Sequence, residues 1–253
     1  MTGGKPMGKI TLPPPHPFAG IAEKLNRTNE NIRNLKSEIA SFFDESEHPI
    51  LSHDNQKVIP EALEYHRSRQ IPPRFSILSG EVVHHLRSCL DHIIWHFSDV
   101  TFRETPKNTK FIEFPILEKR PSDVFSQYER KIKGIANTAV RSLIEECQPY
   151  KRPNPNESLL LAIHKMDIVD KHRELVIVVS TGAARFPIEL WRRYENEELP
   201  ISAIGTDFKR HGKLVPEIAF REFCGAESEI VIQALGQMYN EVLRLVEAFD
   251  KRR

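Results

Sequence analysis

One stretch of the chain, residues 79–97, concentrates side chains that can carry out chemistry. Arg87 and His92 lie five residues apart in it. It also carries His84, His85, Cys89, Asp91 and His96. A histidine exchanges protons near neutral pH, and an arginine holds a fixed positive charge against phosphate oxygens. The pair suits cleavage of RNA by its own 2′-hydroxyl, with His92 as general acid–base and Arg87 stabilising the charge that builds on the phosphorus oxygens.

The spacing of Arg87 and His92 limits how they can act together. Five residues apart on a helix, their side chains diverge by about 140°. They meet at one phosphate only if the helix is distorted or a second subunit supplies one of them. A plainer interpretation is that Arg87 forms an ion pair with Asp91, one turn away, and that His92 is a core histidine with a single hydrogen bond.

A metal site is a further interpretation of the same helix. His85, Cys89, His92 and His96 are spaced 4, 3 and 4 residues apart, so they share one helix face. His85, His92 and His96 would be the ligands, because imidazole nitrogen binds zinc well, and a carboxylate from another helix, Asp167 or Asp170, could complete the site. The alternative is a polar seam between packed helices, and we expect no bound metal or other cofactor.

A second candidate site lies at the end of a predicted helix, where Asp170 is followed by Lys171, His172 and Arg173. Cationic groups at this position complement the negative end of the helix dipole. They also suit a clamp for a phosphate or carboxylate, with Asp170 orienting His172. Binding residues often lie at such junctions between elements, so we expect these four residues to contact substrate phosphate.

The composition sets limits on the class of protein. The formal net charge of the 253-residue chain is +1, so a contact with RNA needs a local basic patch. Three widely spaced cysteines argue against a disulfide framework and for a reducing compartment. The N-terminal residues lack the apolar core of a signal peptide, and the longest apolar runs are too short to span a membrane. We expect a cytoplasmic protein with no membrane contact.

Heptad patterns at both ends of the chain predict long helices. Apolar residues recur in alternating steps of 4 and 3 over residues 21–42 and again over residues 231–249. Gly225 and Ser228 would be the break and the cap before the second of these helices. The two seams pack on each other or on the central helices, or one of them is a dimer interface. We expect a homodimer that associates through helices.

The rest of the chain changes from helical to β-rich. Helices are expected at residues 75–98, 121–133, 136–147 and 157–170, and strands at 173–181, 187–194, 199–204 and 214–223. Residues 56–69 fit either a strand or a short helix.

These patterns predict a leader at residues 1–17 and a single α+β domain at 18–253. The domain is mainly a helical bundle with a small antiparallel sheet in its C-terminal half. Its helical part spans residues 18–170, its β-rich part 171–224 and its last helix 226–251.

The Arg87–His92 spacing resembles the Arg-x4–6-His signature of HEPN domains, and the predicted helical bundle is similar to theirs. That resemblance implies cleavage of RNA without a metal, at a dimer interface, and a role as a toxin or in defence against phage. Ser88 follows the arginine, where active members of that family often carry Asn, Asp or His.

A second resemblance covers about residues 74–249. The segments HHLRSCLDHIIWHF, QPY (residues 148–150) and DKHR (residues 170–173) resemble a group of bacterial proteins. In those proteins an LRSxLDH helix and a DKHR motif occur together, and the resemblance implies no particular activity.

The competing interpretation of function is a non-catalytic interaction protein that assembles through its heptad seams. Structure separates the possibilities. A nuclease needs Arg87 and His92 near a common cleft lined by residues 171–173. An assembly protein needs an exposed apolar stripe on a terminal helix. A metal site needs three ligand atoms within about 4 Å of one another.

Overall fold

The computed structural model describes residues 9–12, 16–44, 70–121, 127–173, 175–185, 213–223 and 226–253. In chain order its helices are α1 Ala19–Asp44, α2 Pro73–Phe97, α3 Val100–Glu104, α4 Pro106–Thr109, α5 Gln127–Ile132, α6 Thr138–Glu146, α7 Leu159–His172 and α8 Val231–Asp250. Two 3-10 turns, Pro149–Lys151 and Pro155–Glu157, precede α7. The strands are β1 Ile177–Arg185, β2 Lys213–Phe223 and β3 Ala226–Ile230.

Helix α2 is the centre of the bundle. It packs against α1, α7 and α8, and α1 and α8 also touch each other. Its apolar stripe, including Leu86, Leu90 and Ile93, is fully buried. Buried apolar surface stabilises a fold by about 25 cal/mol per Å², so this stripe supplies much of the driving force for assembling the helices.

Both heptad seams are buried within one chain. Leu25 and Leu35 of α1 and Met238 and Leu245 of α8 are at most 1% exposed. None of the exposed large apolar side chains among the described residues lies on α1 or α8. The seams therefore pack internally, and the homodimer expected from them stays a prediction that would need another surface. No described helix is long and apolar enough to cross a membrane.

Local signals explain where several helices begin. The side chains of Asp99, Asn137 and Ser158 cap α3, α6 and α7 by accepting backbone N–H groups of the first turn. Pro73 stands at the first position of α2, where its missing N–H costs nothing. The starts of α2, α6 and α7 agree with the predicted helices to within two residues, whereas α3 and α4 were not predicted from the sequence.

The strands form an antiparallel sheet in the order β1-β2-β3. Ile177 is paired with Phe220, and Ala219 with Ile230. Ile218 and Phe220 are buried on the face that the helices cover, as expected of a half-buried strand. The predicted fold class, an α+β protein that is mainly helical with a small antiparallel sheet, is confirmed.

Some boundaries differ from the sequence prediction. The last helix begins at Val231 rather than at residue 226, and the residues before it form β3. Ser228 therefore lies in a strand, and Ile230 occupies the N-cap position without a side-chain cap. The first strand starts at Ile177 instead of residue 173. The predictions for residues 56–69, 187–194 and 199–204 fall outside the described residues.

Candidate active site

Arg87 is turned into the protein, towards a segment without regular secondary structure at residues 114–117, here called the strap. The Arg87 side chain is 5% exposed, and its Nη2 lies 2.9 Å from Asp91 Oδ1. The same nitrogen donates a hydrogen bond to the carbonyl oxygen of Phe114 at 2.9 Å. Asp91 in turn accepts the backbone N–H of Phe114 at 2.8 Å. The predicted ion pair between Arg87 and Asp91 is confirmed, and it clamps both backbone groups of one residue.

Gln148 holds the other end of the strap. Its Nε2 donates to the carbonyl oxygens of Pro115 and Ile144 at 2.8 and 3.0 Å. Its Oε1 accepts the N–H of Leu117 at 3.2 Å. Gln148 is fully buried, so these bonds replace the backbone pairing that a strand would supply. The LRSxLDH and QPY motifs thus share one structural task, which is to fix the strap.

His92 is exposed on a different side of α2 from Arg87. The ring is nevertheless partly desolvated by its neighbours, and this desolvation, followed by the charge of Lys24 on α1, lowers the pKa of its imidazole. The two side chains diverge as their spacing requires, since one is enclosed by the strap and the other faces the region of Lys24. Within one chain they do not share a cleft.

The other members of the proposed metal face are also separated. Cys89 is fully buried, and burial raises the pKa of its thiol to about 12, so it behaves as a small buried hydrophobe. His96 lies edge-on against Phe18, with ring centroids 5.2 Å apart. Among the described residues no group of three His, Cys, Asp or Glu side chains could hold a metal ion. His85, His92 and His96 therefore do not converge.

A different histidine, His84, has the geometry of a proton-transfer group. Its Nδ1 lies 3.1 Å from Oδ1 of Asp167 on α7. The Asp167 side chain is 3% exposed and that of His84 is 55% exposed, so a buried carboxylate orients an accessible ring. With Nδ1–H directed at the carboxylate, Nε2 is left to accept a proton from a substrate. The second oxygen of Asp167 accepts Lys171 Nζ at 2.6 Å.

Gly80 leaves the space beside α2 that the side chain of Asp170 occupies. A Cβ atom at Gly80 would overlap the carboxylate of Asp170, so only glycine leaves room for that side chain. Burial, followed by the charge of Asp167, raises the pKa of Asp170. Its neutral, proton-donating form is therefore easier to reach than that of an aspartate in water.

His84 and Asp170 open into one pocket of about 380 Å³. Its lining residues are Ser76, Ile77, Glu81, His84, His85 and Asp170. Glu81 accepts a hydrogen bond from Asn31 Nδ2 of α1 at 2.9 Å, which ties a third helix to the pocket. The pKa of His85 is lowered by burial and then by the charges of Lys24 and His84, so Lys24 is a cation close to this pocket.

The four residues predicted to bind phosphate do not stay together. Asp170 lines the His84 pocket, and Lys171 is bonded to Asp167, the carboxylate that also contacts His84. His172 is exposed at the last position of α7. Arg173 lies on another side of α7, in a groove beside the sheet. Asp170 is separate from His172 among the described contacts, and its charge is instead influenced by Asp167 and His84.

The sequence analysis considered Asp167 only as an additional metal ligand and did not pair it with His84. The signal available was a second polar stripe on α2, because Gly80, His84, Arg87 and Asp91 are spaced 4, 3 and 4 residues apart. On α7 the matching stripe is His164, Asp167 and Lys171, spaced 3 and 4. These stripes form a polar seam between α2 and α7, and the seam ends at the pocket.

His164 gives the seam a measurable dependence on pH. Its Nδ1 is buried without a hydrogen-bond partner among the described residues. Burial, followed by the charges of Arg87 and Lys131, lowers its pKa to about 4. The folded protein therefore holds this ring neutral, whereas the unfolded chain binds a proton below its ordinary pKa of about 6.5. The stabilisation is complete above that pH and is lost as the pH falls towards 4.

We expect acidification from about pH 7.5 to about pH 5 to lower the free energy of unfolding by about 1 kcal/mol more in the wild type than in His164→Gln. The effect is small because the ring is partly exposed, so solvent would screen its charge. Urea unfolding of both proteins at the two pH values measures the difference. Equal losses in the two proteins would show that His164 titrates normally in the fold.

Comparison of the chain with protein-family models, with curated proteins and with solved structures gives no match. The chemistry of the pocket therefore has to be argued from its own geometry.

Proposed function

We propose that this protein is a metal-independent ribonuclease whose proton-transfer groups are His84 and Asp170. The observation that carries the proposal is the contact between the accessible ring of His84 and the buried carboxylate of Asp167, at the mouth of a pocket that Asp170 also lines. A histidine oriented by a buried carboxylate is the arrangement that general acid–base catalysis uses at neutral pH.

Cleavage of RNA by its own 2′-hydroxyl needs one group to take a proton and another to give one. His84 Nε2 takes the proton of the 2′-hydroxyl while that oxygen attacks phosphorus. Asp170, whose pKa is raised by burial and by Asp167, gives its proton to the departing 5′-oxygen. The products are a 2′,3′-cyclic phosphate and a 5′-hydroxyl, and no metal or outside reactant is required. The two groups then exchange protons with water to restore their starting states.

Cations around the pocket supply the contact with the RNA backbone. The charge of Lys24 on α1 lowers the pKa of both His85 and His92, so this cation lies beside α2. Arg27, one turn further along α1, also lowers the pKa of His85 through its charge. Lys171 remains about half exposed while it pairs with Asp167. Two of these three cations are already paired with carboxylates, Arg27 with Glu30 and Lys171 with Asp167, so an RNA phosphate would compete with those carboxylates for them.

The resemblance to HEPN domains supports the choice of RNA as substrate, and the helical bundle is compatible with it. In the proposal His84 takes the role that the Arg87–His92 signature assigns to His92. Arg87 keeps its place as the clamp of the strap, since its Nη2 is already bonded to Asp91 and Phe114. A site built from Arg87 and His92 would instead require a second copy of the chain.

Structured RNA incubated with the purified protein, with and without a chelator, tests the proposal. We expect cleavage that survives chelation and leaves cyclic phosphate ends. His84→Gln and Asp170→Asn are each expected to reduce the rate about 10²- to 10⁴-fold. Asp167→Asn should reduce it as well, because it removes the group that orients His84. His16→Gln, at the far end of α2 beside Asp250, is the matched histidine control.

Two outcomes would contradict the proposal. RNA left intact by the wild type would show that the pocket is not a nuclease site. Cleavage lost in His92→Gln and retained in His84→Gln would move the chemistry to the Arg87–His92 pair at a subunit interface. Circular dichroism and urea unfolding of every variant separate a loss of chemistry from a loss of fold.

Gly80→Ala offers a test that alters no titratable group. The added methyl group would take the space of the Asp170 carboxylate, which must turn out of the pocket. We expect a loss of cleavage comparable to that of Asp170→Asn. Gly236→Ala in α8 is the control, since a Cβ atom there would meet no described atom within 4 Å apart from the adjacent backbone of its own helix. That change should leave cleavage intact and raise the free energy of unfolding by about 1 kcal/mol through helix propensity. Full activity in Gly80→Ala would exclude Asp170 as the acid.

A further inference from the structure

A second depression lies on the other side of α7, away from the His84 pocket. It is a groove of about 590 Å³ between the C-terminal half of α7 and the first residues of the sheet, a volume typical of small-molecule sites. Its apolar lining residues are Ala162, Met166, Ile168, Val169, Leu175, Val176 and Phe220. Its remaining lining residues are Lys165, Arg173 and Arg221. The groove thus combines hydrocarbon walls with positive charge.

Two apolar side chains in this groove are unusually open to solvent. Ile168 is 44% exposed and Val176 is 50% exposed. They lie on different elements, α7 and the segment that leads into β1, and face the same groove. Scattered exposed apolar residues need no explanation, but two that line one concave surface mark a place where hydrocarbon can be covered.

Among the described residues, only some of the positive charges of the groove have a carboxylate partner. Lys165 is 3.2 Å from a carboxylate oxygen of Glu118. The side chains of Arg173 and Arg221 form no hydrogen bond or ion pair with any other described residue, and both are exposed. The backbone N–H of Arg221 donates to the carbonyl oxygen of Val176 at 2.9 Å. The side chain of Arg221 therefore leaves the backbone directly beside the exposed residue Val176.

The kinds of side chain present decide which ligand fits. Among the described lining residues none carries a hydroxyl or an amide side chain. A nucleoside or sugar would find side-chain donors at Lys165, Arg173 and Arg221 but no side-chain acceptor among the described lining residues, so its own N–H and O–H groups would lose hydrogen bonds to water. A hydrocarbon chain loses none, and a terminal anion can form strong charge-assisted hydrogen bonds with two guanidinium groups. The groove therefore selects for an aliphatic chain that ends in an anion.

We propose that this groove binds a single-chain aliphatic carboxylate, with the carboxylate between Arg173 and Arg221 and the chain along Met166, Ile168 and Val176. This binding is independent of the proposed cleavage of RNA, since the two sites occupy different sides of α7. An alkyl phosphate has the same chemistry, and the choice of probes distinguishes the two.

Isothermal titration with dodecanoate, below the concentration at which it forms micelles, tests the inference. We expect saturable binding of one dodecanoate per chain. Arg173→Gln and Arg221→Gln should each weaken it about five- to tenfold, the effect of removing one charge-assisted hydrogen bond. Val176→Asp should abolish it. Arg130→Gln, which changes an exposed arginine stacked on Phe111 elsewhere on the surface, should not alter it.

Dodecanol and dodecyltrimethylammonium are the matched probes with neutral and positive head groups. Binding of either as tight as that of dodecanoate would overturn the role of the two arginines. Tighter binding of dodecyl phosphate than of dodecanoate would overturn the choice of a carboxylate. Binding only to vesicles that contain anionic lipid would assign the groove to a membrane surface. Sedimentation that shows a dimer dissociating in Val176→Asp would assign it to a second copy of the chain.

Discussion

Replacing Arg87 with alanine is expected to lower the free energy of unfolding by about 3 kcal/mol, near the lower end of the cost of breaking a buried ion pair. The guanidinium is almost completely enclosed, and it bonds the Asp91 carboxylate and the Phe114 carbonyl oxygen. Its removal leaves a carboxylate whose pKa is already raised by burial without its main counter-charge. The value is kept below the maximum because about a third of the Asp91 side chain reaches solvent.

Urea unfolding at neutral pH measures the loss in Arg87→Ala. Arg74→Ala is the matched control, because Arg74 also holds a carboxylate, that of Glu38, at 2.9 Å, but its side chain is exposed. An exposed pair of that kind contributes about 1 kcal/mol or less. Equal stability of the two variants would show that Arg87 contributes little to the stability of the fold. That result would favour the alternative in which Arg87 is a catalytic residue.

Replacing Gln148 with alanine should also lower the free energy of unfolding, by about 3 kcal/mol. The change leaves buried backbone groups of the strap without hydrogen-bond partners, and each such group costs roughly 1–3 kcal/mol. Both functional atoms of the amide are used: Nε2 bonds Pro115 and Ile144, and Oε1 bonds Leu117. Gln148→Glu tests the direction of these bonds, since it replaces the donor with an oxygen that faces carbonyl oxygens. We expect Gln148→Glu to be destabilised at least as much as Gln148→Ala.

Gln233→Ala, at an exposed position of α8, is the control and should change stability by no more than about 0.5 kcal/mol. The double variant Arg87→Ala/Gln148→Ala adds a sharper criterion. Both residues hold the same strap, so once one end is released the second loss should be smaller than in the wild type. Strict additivity would mean that the two ends of the strap are fixed independently.

The helices were predictable because their signals are local. The seams of α1 and α8 and the core stripe of α2 repeat with the period of a helix, and each repeat can be read without knowing the neighbours. The ion pair between Arg87 and Asp91 was predictable for the same reason, since one helical turn joins the two residues.

The proton-transfer pair could not be found in this way because its members meet only in the fold. His84 and Asp167 lie 83 residues apart in the chain. Gly80 matters because the carboxylate of Asp170, a residue of another helix, occupies the space beside it. The histidines on the other face of α2 have a spacing typical of metal ligands, yet none of their neighbours among the described residues completes a site with them.

Strand β3 was missed for a related reason. The sequence of residues 226–230, AESEI, has little β-propensity and contains Ser228, a good cap for a helix. These residues become a strand because β2 offers them backbone partners, pairing Ala219 with Ile230. Strand formation here depends on the neighbouring edge more than on the residues themselves.

The central position of α2 has a consequence for how the protein is made on the ribosome. Its buried stripe is covered on one side by α1, which is synthesised before it, and on another by α8, among the last residues described. Until α8 emerges, Leu90 and Ile93 lack part of the cover that they have in the finished fold. Nascent chains that stop short of Val231 should therefore be bound by chaperones and cut by proteases, and full protection should arise in one late step.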